Sequence, residues 1–501
     1  MTSALLAFLR SRAGIALLLL TMAGAALRFA TLDQQSYWYD EAITAAMLDG
    51  SLRNVFRGIF DTESTPPLYY LLGWVWAHIV GSEEVHLRSL SAVVGTLVIP
   101  VAYAAGRVVS TVRVGLAAAA LAAVSPMLVW YSQEARAYAL VALLGGASFV
   151  LFALARSDPT RRRLVAWATI SALALATHYF AGFVVFAEAV LLFHAHPRLT
   201  RLRWAVASVA LVALALLPLA ALQARHRRLG WVGGIDLGDR VTEAIQRLVA
   251  AGQPSSWAGA TGARVTPYVW IFAVAVLILA SVFVLTRAST RERAGALLAL
   301  GVAAIGIGAP IALAIGADLF TGGDGDYFLD RNVLAAWVPL SVFVAGGLAA
   351  RRAGVLGAAC LAALLTWSLA VYVDVATSPE LQRDDWRSVA AVLPASGEAA
   401  IVVYPAYQGA ALVRQRSDLV EQLEPAELDR VVLVLAGFDE APGTFRTPKG
   451  FVREGAEDIQ HFRLVEYRRA GLAQVRPGDL ARGPLEDSDL QVLVLAPKPS
   501  E

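Results

Sequence analysis

Two adjacent carboxylates, Asp40 and Glu41, follow the first hydrophobic segment of the chain and come directly after the aromatic residues 37–39. A carboxylate at the outer end of a membrane segment can take the proton from a hydroxyl group that attacks a substrate held beside the lipid headgroups. Aromatic rings suit this depth because they tolerate both hydrocarbon and water. Residues 37–42 alone are equally compatible with the start of an ordinary polar loop, so the later segments decide between the two interpretations.

Three later segments also carry charged or polar side chains next to hydrophobic stretches, where a purely structural membrane protein has little use for them. They are Tyr131–Tyr138, which contains Glu134, Arg136 and Tyr138; Thr177–Phe180, which contains His178; and Asp330–Asn332, which contains Arg331. With the topology derived below, these segments and the two carboxylates reach the same face of the membrane. They therefore predict one concave site on that face.

Each of these residues also has a structural interpretation, which the sequence leaves open. Glu134 and Arg136 could pair only with each other at a helix end, and His178 could serve only as a hydrogen-bonding group at an interface. Arg331 could bind lipid phosphates. Arg28, near the outer end of the first hydrophobic segment, is expected to extend its guanidinium toward water.

The composition indicates an integral membrane protein. Of the 501 residues, 57% are hydrophobic and 16% are charged, and the mean hydropathy is +0.58. The net charge of +2 comes without a basic stripe, so nucleic acid is not expected as a partner. The single cysteine, Cys360, excludes an intramolecular disulfide.

Eleven segments are apolar over a length that can cross a membrane: 13–31, 87–106, 114–130, 139–155, 163–178, 180–195, 204–222, 266–286, 295–316, 333–350 and 354–373. Arginine clusters fall at alternate ends of these segments, which predicts a cytoplasmic N-terminus and an extracytoplasmic C-terminus. This solution requires that residues 67–80, about 14 residues with a histidine among them, lie at the outer interface without crossing. We therefore expect a multi-pass protein of the cell (plasma or inner) membrane, surrounded by its lipids.

The polar parts of the chain predict two further structures. Within the first outer loop, residues 32–86, the partly amphipathic stretch 42–60 predicts juxtamembrane helices. From about residue 374 the composition becomes charged, with strand-like runs at 399–404, 430–436, 462–467 and 490–495. The motif Asp384–Arg387 predicts a helix with an acidic cap. The expected architecture is a mainly α transmembrane domain, residues 1–373, followed by a small α/β extracytoplasmic domain, residues 374–501.

The order of four motifs resembles the GT-C superfamily of polytopic glycosyltransferases, most closely the protein O-mannosyltransferases and the lipid A aminoarabinose transferases. The motifs are Tyr39–Ala42 (YDEA), Ser64–Tyr70 (STPPLYY), Leu87–Ala92 (LRSLSA) and Tyr131–Tyr138 (YSQEARAY). Three later elements also resemble bacterial members: Thr177–Tyr179, Asp330–Asn332 and Asp384–Arg387.

This resemblance implies the GT-C fold and an inverting transferase that uses a polyprenyl-phosphate sugar on the extracytoplasmic face. The acceptor would be a glycan, a lipid or a protein. By position, Asp40 matches the catalytic aspartate of the superfamily and Glu41 its acidic neighbour. The chain departs from many relatives at Thr65, where they carry a histidine before the Pro-Pro pair, so the acceptor-side role of this stretch does not carry over.

The residues fit this chemistry independently of the resemblance. A single displacement needs one base, for which Asp40 is the candidate. Arg136 and Arg331 are candidates for contact with the departing phosphate. Glu134 and His178 would orient the sugar or the acceptor, and Tyr138 would bind the donor phosphate or its sugar. No cofactor is assigned. A divalent metal could lie between the acidic loops, although no ligand spacing requires one, so no metal ligands are named.

Two other functions compete with this interpretation. A transporter or flippase of lipid-linked saccharides would place charged residues in mid-membrane and would show two related halves, whereas the charges here gather at segment ends. A non-catalytic membrane scaffold that displays the C-terminal domain would leave Asp40, Glu41 and the polar island at 131–138 without a purpose.

Overall fold

The computed structural model describes residues 7–225, 232–250, 267–323, 325–394, 399–422, 424–438, 440–482 and 489–495. The chain divides into two compact units. We call the described residues among 1–32, 47–253 and 265–375 the membrane unit, and those among 33–46 and 376–501 the C-terminal unit. Residues 33–46, which contain Asp40 and Glu41, therefore group with residues from the far end of the sequence.

Helices dominate the chain as far as residue 377. In chain order they are α1 (Arg12–Phe29), α2 (Tyr39–Asp49), α3 (Leu52–Asp61), α4 (Leu68–Val80), α5 (Glu84–Val109), α6 (Val112–Val124), α7 (Pro126–Ser132), α8 (Tyr138–Ser157), α9 (Arg161–Thr177), α10 (Ala181–Ala195), α11 (Thr200–Arg225), α12 (Leu237–Val249), α13 (Pro267–Thr286), α14 (Thr290–Thr321), α15 (Trp337–Leu348) and α16 (Gly354–Thr377). A 3-10 segment, Asp330–Ala336, leads directly into α15.

The chain is a multi-pass membrane protein. Among the described residues, eight helical segments are long and apolar enough to cross a membrane, or nine if the bent pair α6–α7 is one span. Every segment expected to cross coincides with a helix or with that pair, although residue 266 lies outside the described residues. Helix α4 has 13 residues and is therefore about 20 Å long, short of the roughly 30 Å of a bilayer core. The count of eleven crossings and their orientation stay predictions.

The break between α6 and α7 is stabilised by a buried arginine. Pro126 cannot donate a backbone hydrogen bond, and Ser125 caps the new helix by accepting from the backbone N–H of Leu128. The guanidinium of Arg28 donates to the carbonyls of Ala122, at 2.9 Å, and Ala123, at 3.1 Å. The expectation that Arg28 extends toward water is therefore wrong: the residue is fully buried because it satisfies carbonyls that the helix break releases.

Close backbone packing fixes the segment that carries Arg331. A Cβ at Gly145 of α8 would lie 2.5 Å from the carbonyl oxygen of Ala335. Only glycine therefore permits this approach between α8 and the 3-10 segment 330–336.

Residues 32–86, the expected first outer loop, form helices α2 and α3 over the stretch expected to be amphipathic. On α3, Val55 and Ile59 are buried while Phe56 and Phe60 on the other side are exposed. The spacing of four residues places each pair on one face of the helix.

The C-terminal unit contains a six-stranded sheet with the order β2-β6-β1-β3-β5-β4. Its elements are helices α17 (Trp386–Val392) and α18 (Gly409–Gln415) and strands β1 (Ala399–Tyr404), β2 (Leu419–Glu421), β3 (Ala426–Ala436), β4 (Val452–Ile459), β5 (Phe462–Val475) and β6 (Gln491–Leu495). Strands β1 and β3 are parallel, and the other neighbours are antiparallel. Asp385 caps α17 by accepting from the backbone N–H of Ser388. The predicted α/β fold and the acidic cap are confirmed.

Candidate functional site

Arg136 lies in a buried network with an acid from the first outer loop. Its guanidinium is 2.8 Å from Glu63, and the two side chains are 9% and 2% exposed. Tyr70 donates its hydroxyl to the second carboxylate oxygen of Glu63 and lies 2.8 Å from the hydroxyl of Thr65. Burial raises the pKa of the Tyr70 phenol, so it stays protonated and remains a donor. Arg136 therefore has a fixed orientation and a counter-charge other than Glu134.

The polar island around Arg136 is a tight turn between α7 and α8. The backbone N–H of Arg136 donates to the carbonyl of Glu134 at 2.8 Å, and the Glu134 side chain is buried within the same turn. A buried carboxylate needs charged or hydrogen-bonding partners to offset its lost hydration. The arrangement suits the binding of a polar group.

A glutamine on α11 holds residues 59–65 in place by two hydrogen bonds. The side-chain amide of Gln223 donates to the carbonyls of Ile59, at 2.8 Å, and Thr65, at 3.1 Å. Tyr179 donates its hydroxyl to the amide oxygen of Gln223 at 2.8 Å. Because Glu63 lies between the two carbonyls, Gln223 also fixes the partner of Arg136.

His178 and Arg331 meet around the ring of Tyr138. The Arg331 guanidinium carbon lies 5.7 Å from the centroid of that ring, within the distance of a cation–π contact. The ring of His178 is 6.2 Å from the same centroid, and its Nδ1 accepts the backbone N–H of Phe180 at 3.3 Å. The five candidates Glu134, Arg136, Tyr138, His178 and Arg331 thus belong to the membrane unit and include one cation–aromatic cluster.

Helix α12 adds two buried arginines that the sequence pattern did not single out. Arg247 pairs with Asp330 and donates to the hydroxyl of Tyr131 at 3.1 Å. Arg240 pairs with both carboxylate oxygens of Asp326. Burial alone would lower the pKa of Arg247, but the charge of Asp330 raises it above its usual range.

A sequence signal for these pairs exists. The two arginines are seven residues apart, and the spacing places them on one face of a helix, while both aspartates lie in the glycine-containing acidic stretch before α15.

Asp40 and Glu41 belong to the C-terminal unit. They occupy the first turn of α2, where the positive end of the helix dipole favours carboxylates. Glu41 is fully buried, while Asp40 is half-buried and its carbonyl accepts the hydroxyl of Thr44 at 2.9 Å. Within this unit the ring of Tyr39 meets Tyr407 edge-on, with centroids 5.0 Å apart. Burial raises the pKa of Tyr407, and the charge of Asp40 adds to that shift.

No metal centre is apparent in the described ranges. Among those residues, no three His, Cys, Asp or Glu side chains gather in a way that could hold a metal ion. Two acidic residues of the stretch before α15 instead pair with arginine, Asp326 with Arg240 and Asp330 with Arg247. A divalent metal remains unassigned.

The comparisons with known proteins agree with the motifs. Residues 64–221 match the sequence model of the family described as dolichyl-phosphate-mannose-protein mannosyltransferase. No curated protein matches the chain at a significant level. The matched region contains four of the five membrane-unit candidates and also Glu63's partner Tyr70.

Several solved structures are similar over most of the chain. One is the oligosaccharyltransferase of Archaeoglobus fulgidus tethered to an acceptor peptide, with 14% identity and a TM-score of 0.45 over 81% of this chain and 63% of that chain. The same archaeal enzyme, AglB, in complex with an inhibitory peptide and a dolichol-phosphate has 12% identity and a TM-score of 0.41 over 81% and 64%. ArnT from Cupriavidus metallidurans bound to undecaprenyl phosphate has 12% identity and a TM-score of 0.38 over 90% and 97%.

The archaeal enzymes are longer proteins, of which this chain spans less than two thirds. The family match thus rests on residues 64–221, the region in which the polar island and the His178 turn lie. Within this region the chain is similar to the dolichyl-phosphate-mannose-protein mannosyltransferase family, in line with the resemblance that its motifs carry.

Proposed function

We propose that the protein transfers a sugar from a polyprenyl-phosphate donor to an acceptor hydroxyl on the extracytoplasmic face, with inversion at the anomeric carbon. The observation that carries this proposal is the match of residues 64–221 to a family named for a dolichyl-phosphate-linked sugar donor. Buried cationic and aromatic side chains, Arg136 with Tyr70 and Arg331 with Tyr138, lie in or beside the matched region. The arginine distribution along the chain supports the extracytoplasmic face.

The proposed reaction is a single displacement. The oxygen of the acceptor hydroxyl forms a bond to the anomeric carbon as the bond from that carbon to the phosphate oxygen breaks. The carboxylate of Asp40 accepts the hydroxyl proton, and the lipid phosphate leaves with the electron pair of the broken bond. Arg136 and Arg331 would neutralise the charge that develops on the phosphate, while Glu134, Tyr138 and His178 orient the sugar.

The proposed partners follow from this reaction. The donor is a sugar on a polyprenyl phosphate, and the acceptor is a glycan, a lipid or a protein. Two of the similar structures carry related lipids: ArnT is bound to undecaprenyl phosphate and AglB to a dolichol-phosphate. These ligands guide the choice of donors for an assay, in which polyprenyl chains of different lengths are compared.

Donor consumption by the full-length protein in lipid discs tests the proposal. A panel of polyprenyl-phosphate sugars is supplied with membrane extract as the source of acceptor, and wild type is compared with Asp40→Asn. We expect the variant to lose at least about 100-fold in turnover, because general-base catalysis typically contributes about 10²–10⁴-fold. The affinity for undecaprenyl phosphate should change little.

Asp61→Asn is the matched control, since Asp61 is an exposed aspartate at the end of α3 in the same loop. It should retain wild-type turnover. Equal turnover in wild type and Asp40→Asn would refute the role of Asp40. Movement of intact lipid-linked saccharide across the bilayer without donor consumption would instead favour the transporter.

A further inference from the structure

The segment that carries Asp40 is bonded, through its own side chains, to the part of the C-terminal unit that follows residue 376. We call residues 33–46 the base segment. Ser36 is buried. Its hydroxyl donates to the carbonyl of Asp384 at 2.8 Å and accepts the backbone N–H of Trp386 at 2.9 Å. The N–H of Trp386 is at the first residue of α17, where the helix itself offers no acceptor. Ser36 is the nearer of its two acceptors, since the carbonyl of Asp384 lies at 3.2 Å.

Gln35 makes a second attachment of the same kind. Its side-chain oxygen accepts the backbone N–H of Arg383 at 2.9 Å, and both residues are buried. Arg387 then donates to the carbonyl of Asp33 at 2.7 Å. Asp33, Gln35 and Ser36 of the base segment are therefore hydrogen-bonded to residues within 383–387.

A further contact lies directly next to Asp40. The ring of Tyr39 packs edge-on against Tyr407, which follows strand β1 and precedes α18. Tyr407 is 47% exposed, so one part of its ring supports Tyr39 while the rest reaches the solvent. Asp40 therefore has anchored neighbours, with Gln35 and Ser36 before it and Tyr39 directly adjacent.

The residues that receive the base segment are themselves fixed to the sheet. Trp386 is fully buried. The centroid of its ring lies 4.5 Å from the ring centroid of Phe462, at the start of β5. His461 is 3.1 Å from the carboxylate of Asp384, and Gln460 accepts the backbone N–H of Asp385 at 2.7 Å. The turn between β4 and β5 thus supports the receiving residues, and side-chain packing limits their movement.

From these contacts we propose that the C-terminal unit positions the general base: Gln35 and Ser36 are positioning residues that act through Asp40. This inference rests on the proposed function, in which Asp40 removes the acceptor proton. A base must lie about 2.6–3.2 Å from the proton donor, and a displacement of about 1 Å can cost on the order of 100-fold in rate. The C-terminal unit is then needed for turnover and not for donor binding.

Turnover and lipid binding by the full-length protein in lipid discs separate this role from a general structural one. Ser36→Ala and Gln35→Leu are expected to lower kcat on the order of tenfold while the affinity for undecaprenyl phosphate stays within about twofold. Ser36→Thr and Gln35→Glu keep the acceptor oxygen and should restore most of kcat. Ser388→Ala is the matched control, because that hydroxyl donates to Asp385 within the cap of α17.

The outcomes distinguish this inference from the function on which it rests. Wild-type kcat in both Ser36→Ala and Gln35→Leu, with Asp40→Asn inactive, would overturn the positioning role and leave the transferase intact. A parallel loss of lipid affinity would also overturn it, since the unit would then act on the donor. Full turnover in Asp40→Asn would refute the proposed base. If Ser36→Ala melts early, Gln35→Leu and the two conservative variants decide the question.

Discussion

At the scale of single residues, the buried pair of Arg136 and Glu63 means that a substitution of either residue changes stability as well as activity. Both side chains are almost fully buried, so removing one leaves the other charged and without its main partner. Such a change typically costs about 3–5 kcal/mol, whereas replacing both charges with apolar groups is often tolerated. Lost activity in a single variant could therefore come either from lower stability or from the loss of a group that takes part in the reaction.

The double variant Glu63→Leu/Arg136→Met separates the two effects. We expect Glu63→Leu alone to lower the melting temperature clearly, and the double variant to recover most of that loss. Turnover should stay low in the double variant because Arg136 is the proposed phosphate contact. Melting curves in detergent and donor consumption check both parts, and recovery of turnover with the double variant would exclude Arg136 from the site.

The sequence singled out individual candidate residues but not the residues that bind them. Tyr138, His178 and Arg331 stood out because polar side chains interrupt apolar segments, and the structure places them in contact. Glu63 did not, since it lies 73 residues from Arg136 in an ordinary polar stretch. The same holds for Gln223, which contacts carbonyls 158 and 164 residues away. Pairings at such distances depend on helix packing, which residue types alone do not specify.

At the scale of elements, the broken helix α6–α7 depends on Arg28. We expect Arg28→Leu to lower the melting temperature strongly, since each buried carbonyl left without a donor costs about 1–3 kcal/mol. Arg12→Leu at the exposed start of α1 is the control and should melt like wild type. An unchanged melting temperature for Arg28→Leu would mean that another donor replaces the guanidinium.

The positions of the helices could be predicted from the sequence. The break between α6 and α7 and the two strands β2 and β4 could not. Long apolar runs with arginine at their ends predicted the helices of the membrane unit. In contrast, strand β4 is exposed almost throughout and strand β2 has three residues, so neither leaves a hydrophobic pattern. Both strands form because longer neighbours, β5 and β6, offer edges to pair with.

At the scale of the whole molecule, the C-terminal unit contains a pH-dependent contact. The hydrogen bond to Asp384 raises the pKa of His461 above its usual 6.5. A raised folded-state pKa means that protonation stabilises the fold: the contribution is complete below pH 6.5 and is lost as the pH rises through the higher folded-state value.

His461→Asn should therefore lower the melting temperature more at pH 5.5 than at pH 8.5. Melting curves of wild type and variant across that range measure the difference, with His194→Asn in the membrane unit as a control. A difference that does not depend on pH would show that the charge of His461 contributes nothing.

The attachment of the base segment also has a consequence in time. Ser36 and its acceptor Asp384 are 348 residues apart in the chain. At a synthesis rate of about 5–20 residues per second, roughly 17–70 s pass between the appearance of one and the other. During that interval the nascent protein already has Asp40 and most of its membrane helices, but not the residues that hold the carboxylate in place. We therefore expect unfinished chains in the membrane to leave the donor lipid unused until the last strands have been made.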